Sequence, residues 1–130
     1  MGKLIENFRD LKVYKKAFEL QQDIFIITKN FPKEERYSLT NQIRRSSRSV
    51  GANIAEAWKK RRYPAHFVSK LSDSDGEQAE TLHWLDTSLA CQYITSKEYH
   101  ILFEKCTEIG RMLGRIINEA EIWCRRFNEK

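Results

Sequence analysis

Apolar residues recur three and four positions apart over four stretches of the chain, which predicts four helices with short breaks between them. In the first, about 10–30, the repeating positions are Leu11, Tyr14, Ala17, Phe18, Ile24, Phe25, Thr28 and Phe31, with Asp10 as the expected cap. Val13, Leu20 and Ile27 widen that stripe beyond one face, as in a helix buried on two sides or half-buried in an oligomer. Phe31-Pro32 ends it, since proline cannot continue a helix but suits the first turn of the next one. The second helix, about 33–61, starts at Lys33 or restarts at Leu39 behind Ser38 as a cap. Leu39, Ile43, Val50, Ile54 and Ala57 share one side of it. Ser46, Ser47, Ser49, Gly51, Ala52 and Ala55 are small enough to let a neighbouring backbone come close, and Gly51 implies either a slight bend or a tight helix contact.

Tyr63-Pro64 opens the third helix, about 64–92. Its seam is Phe67, Leu71, Ser74, Gln78, Leu82, Leu85 and Leu89, with polar residues in the middle where leucine would be expected. Polar seam positions fix register or partner choice. Thr95-Ser96-Lys97-Glu98 is a capping box, Thr-x-x-Glu, and starts the fourth helix, about 96–127. Tyr99, Leu102, Cys106, Ile109, Leu113, Ile116, Ala120, Trp123 and Phe127 form its seam, beside a second row of Phe103, Gly110, Ile117 and Cys124.

Residues 1–9 read as a short arm, and the rest as an all-α domain, an antiparallel up-down-up-down four-helix bundle. The wide apolar stripes of the first and fourth helices exceed what one bundle interior needs, so a homo-oligomer is expected. With 130 residues, five Gly and two Pro, the chain suffices for one domain with a core and has few breakers.

Charge changes the picture of the second helix. The net charge is only +5, but residues 36–62 hold eight cations (Arg36, Arg44, Arg45, Arg48, Lys59, Lys60, Arg61, Arg62) against Glu56 alone. At about 100° per residue, Arg44, Arg48, Lys59 and Arg62 fall within about 60° of one another, opposite the apolar stripe. Residues 64–95 reverse the sign, with Lys70 against Asp73, Asp75, Glu77, Glu80 and Asp86. Such asymmetry suits a polyanion partner, or contact between the two segments within a chain or between subunits. Asn53 and Glu56, on the flank between the two stripes, are expected to make a polar contact with a neighbouring helix or subunit.

The three cysteines, Cys91, Cys106 and Cys124, form no close pair, as expected for free thiols in a reducing compartment. No apolar run approaches a membrane span and the start lacks the apolar region of a signal peptide, so a cytoplasmic protein away from membranes is expected. Glu80 and His83 have the Glu-x-x-His spacing of di-iron bundles, but those sites need a second such pair. Arg61 and His66 match Arg-x-x-x-x-His, which resembles the active-site motif of HEPN ribonucleases. No nucleophile has an identifiable base, and there is no phosphate loop or Cys-x-x-Cys pair. We therefore expect no catalytic residues, metal or cofactor. Trp58, Trp84 and Trp123 sit at or beside seam positions and read as packing residues.

FRDLKVYKKAFEL (8–20) and FPKEERYSLTNQIRRSSRSVGANIAEAW (31–58) resemble the bacterial four-helix-bundle proteins encoded in intervening sequences of 23S rRNA genes. The resemblance implies an antiparallel bundle assembled as a ring-like homopentamer, with no enzymatic activity. That family is similar to the accessory variability protein of diversity-generating retroelements, a basic pentameric bundle that binds nucleic acid and the reverse transcriptase. Where the family usually has Ile-Pro-Ser, this chain has Val50-Gly51-Ala52, and where it often has Gly after the Asn-Ile-Ala-Glu motif, this chain has Ala57. A straighter second helix and a more continuous basic stripe follow from those differences.

The reading is a non-enzymatic bundle that binds RNA or DNA backbone through Arg44, Arg45, Arg48, Lys59, Lys60, Arg61 and Arg62, as an accessory to a nucleic-acid-processing protein. Two alternatives are a scaffold whose charged faces mediate assembly and, more remotely, a helical ribonuclease.

Overall fold

The apolar repeats fold as helices, and most differences from the expected boundaries trace to local capping. The computed structural model describes residues 5–128, with side chains through Arg125. Among the described residues the elements are α1 (Lys12–Thr28), α2 (Leu39–Lys59), α3 (Pro64–Ala90), α4 (Ser96–Asn118) and α5 (Ala120–Asn128), with single 3₁₀ turns at Phe8–Asp10 and Lys33–Glu35 and no strand.

Asp10 does not cap α1. Its carboxylate accepts from the backbone N–H groups of Glu6 (2.9 Å) and Asn7 (3.2 Å), and so closes the 3₁₀ turn one step earlier in the chain. The first true helix then begins behind Leu11, which has no side chain able to cap it. Ser38 does precede α2, yet its hydroxyl caps nothing. Glu35 takes that role, accepting from the Leu39 N–H at 3.3 Å while its other oxygen accepts from the Tyr93 hydroxyl at 2.9 Å. Pro64 sits in the first turn of α3, where its missing N–H leaves no bond unmade. That helix stops at Ala90 rather than 92, because Gln92 adopts a left-handed φ of 64° and the Tyr93 N–H turns back to the Ser88 carbonyl at 2.9 Å. The Thr95–Glu98 capping box forms in both directions, at 2.8 and 3.1 Å.

The expected fourth helix is two pieces. Glu119, with φ −103° and ψ 19°, interrupts it. The turn lets α5 lean onto α3, buries Cys124, and brings the Trp123 ring edge-on to Trp58 at 6.0 Å. The expected seam residue Phe127 lies outside the described side chains.

Contacts run from α1 to α2, α2 to α3, α3 to α4 and α4 back to α1, so the four long helices enclose one core. Leu20, Ile24, Ile43, Ile54, Leu85, Ile109 and Leu113 are fully buried there. Burial of such side chains contributes roughly 1.5–3 kcal/mol each. The α1–α4 edge is joined by charge: Lys105 donates to Asp23 and to Glu19, and Lys16 pairs with Glu108 at 3.5 Å.

The most extensive packing is α2 on α3, and small side chains line it. Ser74 is fully buried and donates to the Val50 carbonyl at 2.8 Å. Thr81 donates to the Glu77 carbonyl at 2.9 Å, which leaves its oxygen to accept from Ser46 at 2.8 Å. The core line of α3 therefore runs Phe67, Leu71, Ser74, Thr81, Leu85 and Ser88, and the expected seam residues Gln78, Leu82 and Leu89 stand half-buried beside it. On the other side α2 meets α1 at Gly51, where an added Cβ would lie 3.5 Å from the Tyr14 ring and 3.9 Å from Ala17. That is ordinary contact, and α2 runs unbroken through the glycine.

A leucine at Ser74, the residue type the apolar spacing asks for, has no room at this interface. Ser74→Leu is expected to lower stability by about 1–3 kcal/mol, and Ser74→Ala by about 1 kcal/mol, in urea unfolding. A leucine variant as stable as the wild type would show that the two helices are held apart by something other than the size of these side chains.

Candidate nucleic-acid interface

Because α2 buries Ile43, Ser46, Val50, Ile54 and Ala57 against α3 and the core, its helical period turns Asn41, Arg45, Arg48, Ala52 and Lys59 outward. Arg44 lies half-buried toward α1. Its Nε donates to the Thr28 hydroxyl at 2.8 Å, and its guanidinium carbon stands 4.9 Å from the centre of the Phe25 ring. Thr28 holds this position through its own bond to the Ile24 carbonyl at 2.7 Å. Arg48 reaches the same ring at 5.7 Å. Phe25 thus carries two guanidinium groups, and stacking of this kind fixes an arginine without neutralising it.

Among the described residues no carboxylate comes within 4.0 Å of Arg44, Arg45, Arg48, Lys59 or Lys60. The ion pair that does join α2 to α3 links Glu56 to Lys70 at 3.6 Å, the minority charge of each segment. Glu56 therefore makes the neighbouring-helix contact expected of it. Asn53 makes no such bond to a neighbouring helix of its own chain among the described residues: its amide donates to the Ser49 carbonyl of its own helix at 2.9 Å.

Arg44, Arg45 and Arg48, with Arg36, Tyr37 and Asn41, line an open concavity of about 560 Å³ over the amino-terminal half of α2. Lys59 is the last residue of α2, so Lys60, Arg61 and Arg62 leave the helical stripe and lie in the turn before α3. The continuous stripe expected from Arg44 to Arg62 is therefore two groups, separated along α2 by Ala52 and Ala55. Arg61 is bound inward: its Nε donates to the Trp58 carbonyl at 2.8 Å and its guanidinium lies 3.4 Å over the Trp58 ring. Burial lowers this guanidinium from its ordinary value, and the nearby Cys124 acts in the opposite direction.

Sequence spacing missed Phe25, Thr28 and Tyr37. The signal for Phe25 was its place on the flank of α1, a third of a turn from the buried line. No spacing rule pairs it with arginines on another helix.

The motifs with catalytic or metal spacing do not converge. His66, in the first turn of α3, packs at a tilt against Tyr63 at 5.4 Å while Arg61 lies on Trp58. Glu80 accepts from the Trp84 indole at 3.1 Å, and His83 packs edge-on to the same indole at 4.7 Å. Among the described residues no cluster of three or more His, Cys, Asp or Glu is placed to hold a metal, and no helix is long and apolar enough to cross a membrane. Cys91, Cys106 and Cys124 are not joined in disulfides, the last two are buried, and burial raises the Cys106 thiol to about 12.

These geometries separate cations that face solvent from one that is held by the fold. Arg45→Ala should leave the urea midpoint unchanged, whereas Arg61→Ala should lower stability by about 1–2 kcal/mol through loss of its ring contact and its hydrogen bond to Trp58. The reverse order would mean that the exposed face of α2 is held by contacts of its own.

The profile of the family described as 23S rRNA-intervening sequence protein matches residues 9–115. A crystal structure at 1.70 Å of a protein of unknown function from the S23 ribosomal protein family of Bacteroides thetaiotaomicron VPI-5482 is similar to this fold, with a TM-score of 0.74 and 34% sequence identity over 82% of this chain and 95% of that one. No curated protein matches the chain.

Proposed function

The chain belongs to the 23S rRNA-intervening sequence protein family, and we propose that it is a non-enzymatic helical bundle that binds the nucleic-acid backbone through α2. One observation carries this reading. Arg44, Arg45 and Arg48 face an open concavity with no carboxylate partner among the described residues, and two of them are held in place by Phe25. Cations kept in position and left unneutralised have lost part of the ordering cost of gripping a phosphate before any ligand arrives. Lys59 and Lys60 extend the positive field toward the far end of the helix, and Arg61 and Arg62 add to it from the turn.

No base-reading element accompanies these cations, so contacts fall on phosphates and discrimination between sequences is weak. The bundle is antiparallel, up-down-up-down, and assembles as a homo-oligomer, a pentamer by resemblance. Exposed apolar side chains support assembly, among them Phe18 and Ile26 of α1, Ile101 and Phe103 of α4, and Ile122 of α5. Repetition of the basic face around such an assembly would raise avidity without any new contact. The role is that of a cytoplasmic accessory, presenting nucleic acid to a processing protein such as a reverse transcriptase.

The test is binding of labelled RNA and DNA oligonucleotides by the wild type and by Arg45→Glu/Arg48→Glu/Lys59→Glu, a variant of three exposed residues. The triple variant should keep its helical content and bind at least tenfold more weakly, with a shallower fall of affinity as salt rises. Unchanged affinity in a folded triple variant would remove α2 as the binding face.

A further inference from the structure

We infer that the concavity on α2 takes a single strand of nucleic acid in preference to a duplex, with Tyr37 as the side chain on which a base stacks. This rests on the phosphate-binding reading above and names its ligand.

Tyr37 stands in the turn immediately before α2 and is 81% exposed, more than any other large apolar residue described. Its described ring contact is with the guanidinium of its neighbour Arg36, at 5.3 Å. The aromatic residues of the adjoining α1 face stand outside the concavity wall: Tyr14 packs at 4.9 Å on Phe8, Phe18 stacks on Tyr14 at 6.2 Å, and Phe25 lies under Arg44 and Arg48. A single exposed aromatic ring needs no explanation by itself. This one forms part of the wall of the same concavity that Arg44, Arg45 and Arg48 line.

A phosphate-binding groove with an open aromatic face beside it is the arrangement that binds unpaired strands. Every unpaired base offers a π-face, and stacking on it tolerates any sequence, in keeping with a site that has no base-reading element. A duplex hides those faces within its own stack, so Tyr37 would gain nothing from it. The dimensions agree. Arg44, Arg45 and Arg48 span four residues of helix, roughly 6 Å at 1.5 Å per residue, which suits adjoining phosphates of one strand. Arg44 spends only its Nε on Thr28, so its terminal nitrogens remain for a phosphate oxygen.

The experiment uses fluorescence anisotropy at one fixed salt concentration with a single-stranded RNA, a single-stranded DNA and a duplex, each about twelve nucleotides long, within the usual site size of such grooves. The proteins are the wild type, Tyr37→Ala, Tyr37→Phe and Arg45→Glu/Arg48→Glu. Single strands should bind at least tenfold more tightly than the duplex. Tyr37→Ala should lose about 5- to 100-fold on single strands and nothing on the duplex, while Tyr37→Phe keeps wild-type affinity. The RNA and DNA arms report whether the sugar matters. If Tyr37→Ala is inert and the duplex binds as well as single strands, while Arg45→Glu/Arg48→Glu weakens both, phosphate binding stands and the single-strand inference is overturned. If no nucleic acid binds in any arm, the phosphate reading fails and this inference fails with it.

Discussion

The close packing of α2 on α3 is the constraint from which the rest of the structure follows. Two hydrogen-bonded contacts define it: Ser74 to the Val50 carbonyl, and Ser46 to Thr81, which in turn bonds the Glu77 carbonyl. These side chains are small, so the two backbones approach, and polar, so they accept only one register. A turn of α2 by one residue, about 100°, would bring Arg45 to the place of Ser46 and bury a charge without a partner. Such a burial costs several kcal/mol. The seam therefore fixes which side of α2 faces water, and that side carries Arg45, Arg48 and Lys59.

The α1 side completes the arrangement. At Gly51 α2 passes Tyr14 and Ala17 of α1, and the same packing brings the flank of α1 beside the basic face. Phe25 then lies beneath Arg44 and Arg48, with Thr28 bonding the first. The acidic surface of α3 begins on the opposite flank, where Asp73, Glu77 and Glu80 surround an open concavity next to Asn53. Opposite charges thus occupy neighbouring faces of one helix pair, and Glu56–Lys70 is the ion pair that links the two helices among the described residues. Charge segregated in this way gives a positive face its own field, where an interleaved pattern would cancel it.

Much of this was legible in the residues. The apolar spacing located the long helices, Pro64 marked the start of α3, and Thr95–Glu98 announced α4. The outward side of α2 followed from the same periodicity as its buried side. Three features were not legible, each for a physical reason. The seam of α3 was read through Gln78, Leu82 and Leu89 because hydrophobicity was taken as the guide to burial, whereas Thr81 and Ser88 are buried by bonding their hydroxyls to backbone carbonyls of their own helix. The break at Glu119 leaves no proline or glycine to announce it; tertiary packing of Trp123 and Cys124 sets it. The division of the basic stripe follows from α2 ending at Lys59, after which Arg61 folds back on Trp58, a contact between residues three apart in which charge counting sees only a solvated arginine.

The central claim is that the α2–α3 seam aims a set of unneutralised cations at a polyanion. A structure of the protein with a bound oligonucleotide tests it most directly. The account predicts phosphate oxygens within hydrogen-bond reach of Arg44, Arg45 and Arg48, with the Ser46–Thr81 and Ser74–Val50 bonds intact beneath them. The same arginines closed against Asp73, Glu77 and Glu80 of a second copy, with nucleic acid elsewhere or absent, would contradict it.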